Sequence, residues 1–326
     1  MTAAPERSPA PLSGPDPFRH LAVVHDDADE LVTTLAPLLD AARAQHALVW
    51  AAVDGPIRRA VERYLGDAAE DVVFSEPAQP YSYSGQTTAA RRAERLREMV
   101  DVDRGALILS DTSTIGGSGP DASPPDVWSV VDASCNLALT GLPVTLVCLC
   151  AAAGASEASE RFRYWNHPEL FVGATASPNP RYRLPEDVLA AFPAPPAPVL
   201  GPPDHETAFD GVGALRAIRQ VTRHRGEDAG LDDDQVDGLV LAIAELVSNS
   251  IEHGAGRGTM SWWTRPGRIV AEIHDVGHMT TTTPGLRRPS IRSPRGRGVW
   301  LARQLSDVLH LWTGDDGTHV RLELSA

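Results

Sequence analysis

The chain contains no lysine: all 29 of its basic residues are arginine. A Gly-rich phosphate loop needs a Lys to reach the β and γ phosphates, and a eukaryotic-type protein kinase needs a strand Lys for the same purpose. Neither machine can be complete here. Any nucleotide chemistry must use a phosphate site of backbone amides, metal and Arg. Cysteine is scarce too: Cys135, Cys148 and Cys150 are too few and too irregularly spaced for a disulfide framework. No apolar run approaches the ~18 residues of a membrane span. The Pro/Ala/Ser-rich stretch Met1–Pro17 lacks the basic-then-apolar layout of a secretory signal and reads as a disordered tail. A cytoplasmic protein without a membrane partner is expected. The formal charge of −14 argues against direct nucleic-acid binding.

What is present is ordinary globular composition, with 42% apolar and 22% charged residues, over a length that suffices for two domains. Between Phe18 and about Tyr182, short apolar runs alternate with helical patterns. Leu21–Val24, Ala47–Ala52, Asp71–Phe74, Ala106–Leu109 and Val144–Cys150 read as buried strands. Glu30–Ala44 and Thr87–Val100 read as helices. That alternation predicts an α/β domain with a mainly parallel sheet over 18–183. The Pro-rich stretch 184–206, with Pro193, Pro195, Pro196, Pro198, Pro202 and Pro203, predicts an extended, semi-rigid linker. The unit from 207 to 326 starts with a helix over Gly211–Arg225. A second helix follows Leu231-Asp232-Asp233-Asp234, with an apolar stripe of Val236, Leu239, Ile243, Val247 and Ile251. Strands over Gly258–Arg265 and Arg268–Asp275, a Gly-led helix over Gly296–Ser306 and a final hairpin make this an α+β layer.

Three pieces of the second unit carry chemistry. Glu245, Asn249 and His253 share one i, i+4, i+8 row beside the apolar stripe, where the helix borders a cleft. A carboxylate there can take a proton from a hydroxyl, and an amide oxygen can ligate Mg²⁺. An ordinary polar helix border has the same pattern. Ile269, Ala271 and Ile273 alternate on a strand that ends in Asp275-Val276-Gly277. That places a carboxylate at a cleft mouth, able to accept from an adenine amino group while Gly277 lets the ring approach. Arg295-Gly296-Arg297-Gly298 puts two glycines at a helix start, where free N–H groups bind phosphate without lysine.

The order of these pieces resembles the GHKL ATPase superfamily. Glu245–Gly254 is similar to its N box, Asp275-Val276-Gly277 to its first glycine box and Gly296–Leu301 to its second. Thr318 is similar to the late strand Thr that supports the adenine-binding Asp. The resemblance implies a Bergerat ATP-binding sandwich that binds ATP and Mg. In it Glu245 is the catalytic base, Asn249 the Mg²⁺ ligand and Asp275 the adenine contact, with His253, Gly277, Arg295, Gly296, Gly298 and Thr318 completing the nucleotide site. Two features depart from the pattern: His278-Met279 stands where many members continue Gly-x-Gly, and the lid over Thr280–Pro294 is short. Arg287, Arg288, Arg292 and Arg295 are its candidate phosphate contacts. The direct entry through Leu215-Arg216-Ala217-Ile218-Arg219-Gln220-Val221 resembles the anti-sigma-factor serine/threonine kinases. That implies phosphorylation of an anti-sigma-factor antagonist, or sequestration of a sigma factor. A non-catalytic ATP-dependent switch, and a histidine-kinase-like module acting in trans through His205 or His224, are the alternatives.

In the first unit, Phe18-Arg19-His20, Trp165–Leu170 and Tyr182 resemble the MEDS sensory domain, whose members are RecA-like without the phosphate loop. The resemblance implies an unspecified sensory ligand; a homodimer is left open. Cys148 and Cys150, two apart on one strand, point to the same side. With Cys135 they offer a metal or redox site, or else serve as small buried hydrophobes. His20, His25 and His167 shape a ligand pocket or are hydrogen-bonded structural residues. Trp128, Trp165 and Tyr164 are core candidates, and Gly116–Pro120 is a loop without a Lys.

Overall fold

In the computed structural model, residues 17–77, 84–112, 125–152, 156–290 and 296–326 are described. Residues 1–16 of the expected tail, the Gly116–Pro120 stretch, Arg292 and Arg295 fall outside them. The chain divides into two units, residues 1–79 with 93–188 and residues 80–92 with 189–326.

The first unit alternates strand and helix: β1 (Arg19–His25), α1 (Ala28–Ala44), β2 (Leu48–Ala52), α2 (Gly55–Leu65) and β3 (Val72–Ser75). Then come α3 (Gly85–Met99), β4 (Ala106–Asp111), α4 (Pro125–Ala138), β5 (Val144–Ala151), α5 (Glu157–Trp165), β6 (Glu169–Val172), β7 (Thr175–Pro178) and α6 (Pro185–Ala191). The sheet runs β3-β2-β4-β5-β1-β6-β7, with parallel pairing except between β6 and β7. Every residue of β4 and all but the last of β5 are buried. That is why both segments are nearly continuous apolar runs: a parallel sheet is covered on both faces. Asp27 and Asp54 accept from the first free N–H groups of α1 and α2 and set where those helices begin.

The second unit is one antiparallel sheet with helices on a single face. Its elements are β8 (His205–Asp210), α7 (Leu215–Asp228), α8 (Asp233–Glu252), β9 (Arg257–Arg265) and β10 (Arg268–Asp275), then α9 (Gly298–Gln304), β11 (Val308–Gly314) and β12 (Gly317–Ser325). The strand order is β11-β12-β10-β9-β8. A capping box of Asp232 and Gln235 starts α8. Period-two alternation sends Ile269, Ala271 and Ile273 of β10, and Val320, Leu322 and Leu324 of β12, into the core against Leu239, Ile243 and Val247 of α8. The other face mixes Val270, Trp263, Val308 and Trp312 with charged and polar groups. There the Arg321 guanidinium holds Glu272 at 2.6 Å and donates to the Pro198 carbonyl at 2.6 Å. The His310 ring meets the Pro195 carbonyl at 2.7 Å.

Three features differ from the sequence reading. The stretch 184–206 is not uniformly extended: it holds α6, and its Pro195 and Pro198 carbonyls are bonded to the second sheet. His205 and Glu206, expected at the end of the linker, are paired in β8 with Trp262 and Ser261. Residues 84–92, the first turns of α3, group with the second unit. The Thr87 hydroxyl donates to the Leu309 carbonyl at 2.9 Å, and Arg91 holds Asp307 at 3.1 Å.

Candidate functional site

Alternation along β10 explains the position of Asp275. It follows Ile269, Ala271 and Ile273 on the face toward the helices, at the end of the strand where apolar packing stops. Its carboxylate is buried at 3% exposure, and Oδ1 accepts from the N–H of Gly277 at 2.8 Å and of Ala255 at 3.3 Å. Two glycines make the fit possible. A Cβ on Gly254 would stand 2.6 Å from Asp275 Oδ1, and one on Gly277 would stand 2.7 Å from the same atom. Contacts under 3 Å are closer than any real Cβ tolerates. Only glycine lets the backbone close on the carboxylate from both sides.

Thr318 sits opposite Asp275 in the β10–β12 register. Its hydroxyl donates to the Gly277 carbonyl at 2.8 Å and accepts from the Met279 N–H at 3.0 Å. Thr318 therefore fixes the turn that carries Gly277, and the turn fixes Asp275.

Around these groups lies a cavity of about 560 Å³, lined on the α8 side by Leu246, Asn249, Ser250 and His253. Gly296, Gly298 and Val299 line it at the start of α9, and Met279, Thr280, Thr281 and Pro284 along the lid. The volume suits a small organic ligand, and the walls mix apolar side chains such as Leu246, Met279 and Leu311 with polar ones such as Asn249, His253 and Asp275. Asn249, His253, Asp275, Gly277, Gly296, Gly298 and Thr318 thus converge on one hollow. The Asn249 Nδ2 is buried without a hydrogen-bond partner. Such a donor is not held by the protein, which fits an N–H aimed at an acceptor atom of a bound ligand.

Glu245 is placed differently. It is one turn before Asn249 on α8 but is not among the described residues that line the cavity. A Cβ on Gly298 would lie 2.6 Å from Glu245 Oε2 and 3.3 Å from Asn249 Nδ2. The glycine-led start of α9 therefore lies directly over this carboxylate. Arg287 and Arg288 are exposed and not among the described lining residues.

Sequence reasoning missed the clamp on the lid. The Arg303 guanidinium, on α9, is buried at 4% exposure. It donates to the carbonyls of Pro284 (3.0 Å) and Leu309 (3.1 Å) and to Gln86 Oε1 (2.6 Å). Gln86 in turn donates to the Thr282 carbonyl at 2.9 Å. Burial pushes the Arg303 guanidinium down to about 9, which leaves it charged at neutral pH. A single Gln more than 190 positions away carries no local signal.

In the first unit a larger hollow, about 840 Å³, opens at the amino ends of β2 and β3, beside Leu48 and Val72. Open parallel sheets bind ligands at the opposite, carboxyl ends. There His25 ends β1; burial pulls its pKa down against the carboxylates of Asp111, Asp26, Asp54 and Asp27. Cys135, Cys148 and Cys150 are all buried and form no disulfide. Burial pushes the Cys150 thiol up to about 11, so it is an uncharged small hydrophobe at neutral pH. No helix among the described residues is long and apolar enough to cross a membrane.

Residues 211–324 match the family of the histidine kinase-like ATPase domain. Among solved structures, the chain is similar to one holding the RsbU and RsbW domains of a Mycobacterium tuberculosis protein, at 20% identity and a TM-score of 0.28. That likeness covers 38% of this chain and 32% of the other, so the chain spans about a third of that structure's length. A score so low carries no weight for the fold.

Proposed function

We propose that the second unit binds Mg·ATP in the cavity around Asp275 and acts as a regulatory protein kinase. The observation that carries this is the closure of Gly254 and Gly277 on a buried carboxylate that lines a cavity together with Asn249. Asp275, with Oδ1 held by two backbone N–H groups, would orient its other oxygen toward an adenine amino group. Asn249 would ligate the metal through its amide oxygen. Gly296 and Gly298 would bring backbone N–H groups to the phosphates. A bound Mg²⁺ supplies charge neutralisation for phosphoryl transfer, which is mostly positioning and electrostatics. Glu245 would accept the hydroxyl proton of a protein substrate.

By resemblance, that substrate is a Ser or Thr of an anti-sigma-factor antagonist. The first unit is then a MEDS-type, RecA-like sensory domain answering an unspecified ligand in the cytoplasm. Calorimetry with Mg·ATP on wild type, Asn249→Ala and Asp275→Asn tests the site. Binding that both substitutions weaken supports it, and a wild type that does not bind overturns it. Loss of phosphotransfer in Glu245→Gln, with ATP affinity kept, supports the base assignment; an unchanged rate refutes it.

A second reading has its own observation. Glu245 stands under Gly298 and not at the cavity wall, which favours a non-catalytic switch in which nucleotide sets affinity for a partner. ATP-dependent partner binding without phosphate transfer would select that reading.

A further inference from the structure

Outside the nucleotide cavity, and independent of that reading, four side chains converge inside the first unit. They are His20 of β1, Asp132 of α4, Cys148 of β5 and His167 just after α5, with exposures of 1, 1, 0 and 0%. Their placement follows from the fold. Ala22 pairs with Cys148 across the parallel β1–β5 ladder, and His20 lies two residues earlier, so both side chains emerge on one face of the sheet. Asp132 and Asn136 are one turn apart on α4.

The tautomers can be read from the bonds behind the rings. The Asn136 amide donates through Nδ2 to the Asn166 carbonyl at 2.8 Å, so its Oδ1 faces His20 as an acceptor. His20 Nδ1, 2.9 Å from that oxygen, must therefore carry the proton. His167 Nδ1 lies 2.7 Å from the Arg163 carbonyl, an obligate acceptor, and carries its proton in the same way. In each neutral ring Nε2 is left with its lone pair directed inward, and His167 Nε2 is buried without a hydrogen-bond partner. Metal-binding imidazoles are held in this manner, with the far N–H donated to a carbonyl.

The spacing agrees. Asp132 Oδ2 lies 3.8 Å from His20 Nε2, 3.4 Å from His167 Nε2 and 3.6 Å from Cys148 Sγ, and His20 Nε2 lies 3.4 Å from Cys148 Sγ. The full set lies within 4.8 Å. A tetrahedral zinc with ligands at about 2.0–2.3 Å places its donors roughly 3.3–3.8 Å apart. Two neutral imidazoles, a thiolate and a carboxylate also cancel a divalent charge, as full burial demands.

We propose that His20, Asp132, Cys148 and His167 bind one divalent transition-metal ion, zinc in the first instance, in a closed four-ligand site. The thiolate and imidazoles exclude Mg²⁺ and Ca²⁺, which take oxygen ligands. With four protein donors no position is left for substrate, so the ion is structural: it ties β1 and β5 to α4 and to the turn after α5. The cysteine partners differ from those the spacing suggests, since Cys135 and Cys150 are not in the set.

The test uses the full chain. Metal analysis of protein grown with zinc should give about one equivalent per chain. Cobalt added to the chelator-stripped protein should give tetrahedral d–d bands and a thiolate-to-cobalt charge-transfer band. Cys148→Ser should remove the charge-transfer band, and Cys150→Ser, equally buried, should keep it. Asn136→Ala, which frees the His20 ring, should weaken cobalt binding about 10–100-fold. A folded wild type with neither stoichiometric zinc nor a tetrahedral cobalt spectrum overturns the proposal. So does a charge-transfer band that survives Cys148→Ser. The wild-type measurements decide even if a variant misfolds.

Discussion

The two candidate sites of this chain are built by opposite means. Around Asp275 the structure removes side chains: Gly254, Gly277 and Gly298 let backbone approach carboxylates within distances a Cβ would forbid. Around Cys148 it does the reverse, bringing four functional side chains from four elements into a space with no solvent. The first design leaves an open hollow of about 560 Å³, a shape suited to a ligand that comes and goes. The second is closed, suited to something bound once, during folding. The comparison predicts different vulnerabilities: added atoms should damage the glycine-built site most, and changed chemistry at constant volume should damage the side-chain site most.

The largest effect is expected from Gly254→Ala. The new Cβ would meet Asp275 Oδ1 at 2.6 Å and the Ser250 carbonyl at 2.7 Å, and backbone cannot yield as a flexible side chain can. Overpacking of this kind costs roughly 1–3 kcal/mol, which, where it falls on the ligand-bound geometry, should appear as about a five- to 150-fold loss of Mg·ATP affinity by calorimetry. Unchanged affinity would show that the glycine is not what shapes the site. The counterpart in the first unit is Asp132→Asn, which keeps volume and removes the anionic donor. Metal content should fall well below one equivalent while ATP affinity is kept. Retention of metal would break the contrast.

The same difference explains how much could be read from the sequence. The candidate nucleotide site could be proposed from sequence because its parts are short contiguous motifs. Glu245–Gly254 lies on one helix, Asp275–Gly277 at one strand end and Gly296–Gly298 at one helix start. The alternation of Ile269, Ala271 and Ile273 even fixes the face on which Asp275 stands. What the motif could not give was the depth of Glu245, since the overlap with Gly298 depends on how α9 packs on α8. The metal-type cluster was not legible as a set. Residues 20, 132, 148 and 167 share no spacing, and the i, i+2 pattern of Cys148 and Cys150 gives no sign of His20, Asp132 or His167. The strands β6, β7 and β8 escaped for a related reason. Each has six residues or fewer, β7 ends in Pro178, and all three exist through their pairing more than through their composition.

A smaller effect sharpens the comparison within the second unit. Asp232 accepts from the Gln235 N–H at 2.8 Å at the start of α8, on the helix that presents Asn249 nearly five turns later. Asp232→Ala should cost about 1 kcal/mol in urea unfolding of the full chain. Mg·ATP affinity should hardly move, because the far end of α8 is held by its packing on the sheet and by the Ala255 N–H bonded to Asp275. A parallel loss of affinity would mean that the cavity depends on the whole helix and not on the local closure of its glycines.

The smallest effect lies on the opposite face of the same sheet. His319 Nδ1 meets Glu272 Oε1 at 3.2 Å and Nε2 meets Asp316 Oδ1 at 3.2 Å, while its ring stacks between His274 and Trp312. The hydrogen bond to Glu272, and after it the Asp316 carboxylate, raise its pKa above the ordinary 6.5 against the opposing effect of burial. A raised folded-state pKa stabilises the fold fully below the unfolded value and loses that contribution as pH climbs through the folded one. Stability should therefore fall as pH rises from the ordinary 6.5 through the raised folded-state value, by less than about 1 kcal/mol because the Asp316 side is open to water. His319→Gln should flatten this slope. Because His319 faces away from Asp275, ATP affinity over the same window should follow the wild type in the variant. A matching shift in affinity would show that this face reports to the cavity through the shared β10–β12 ladder.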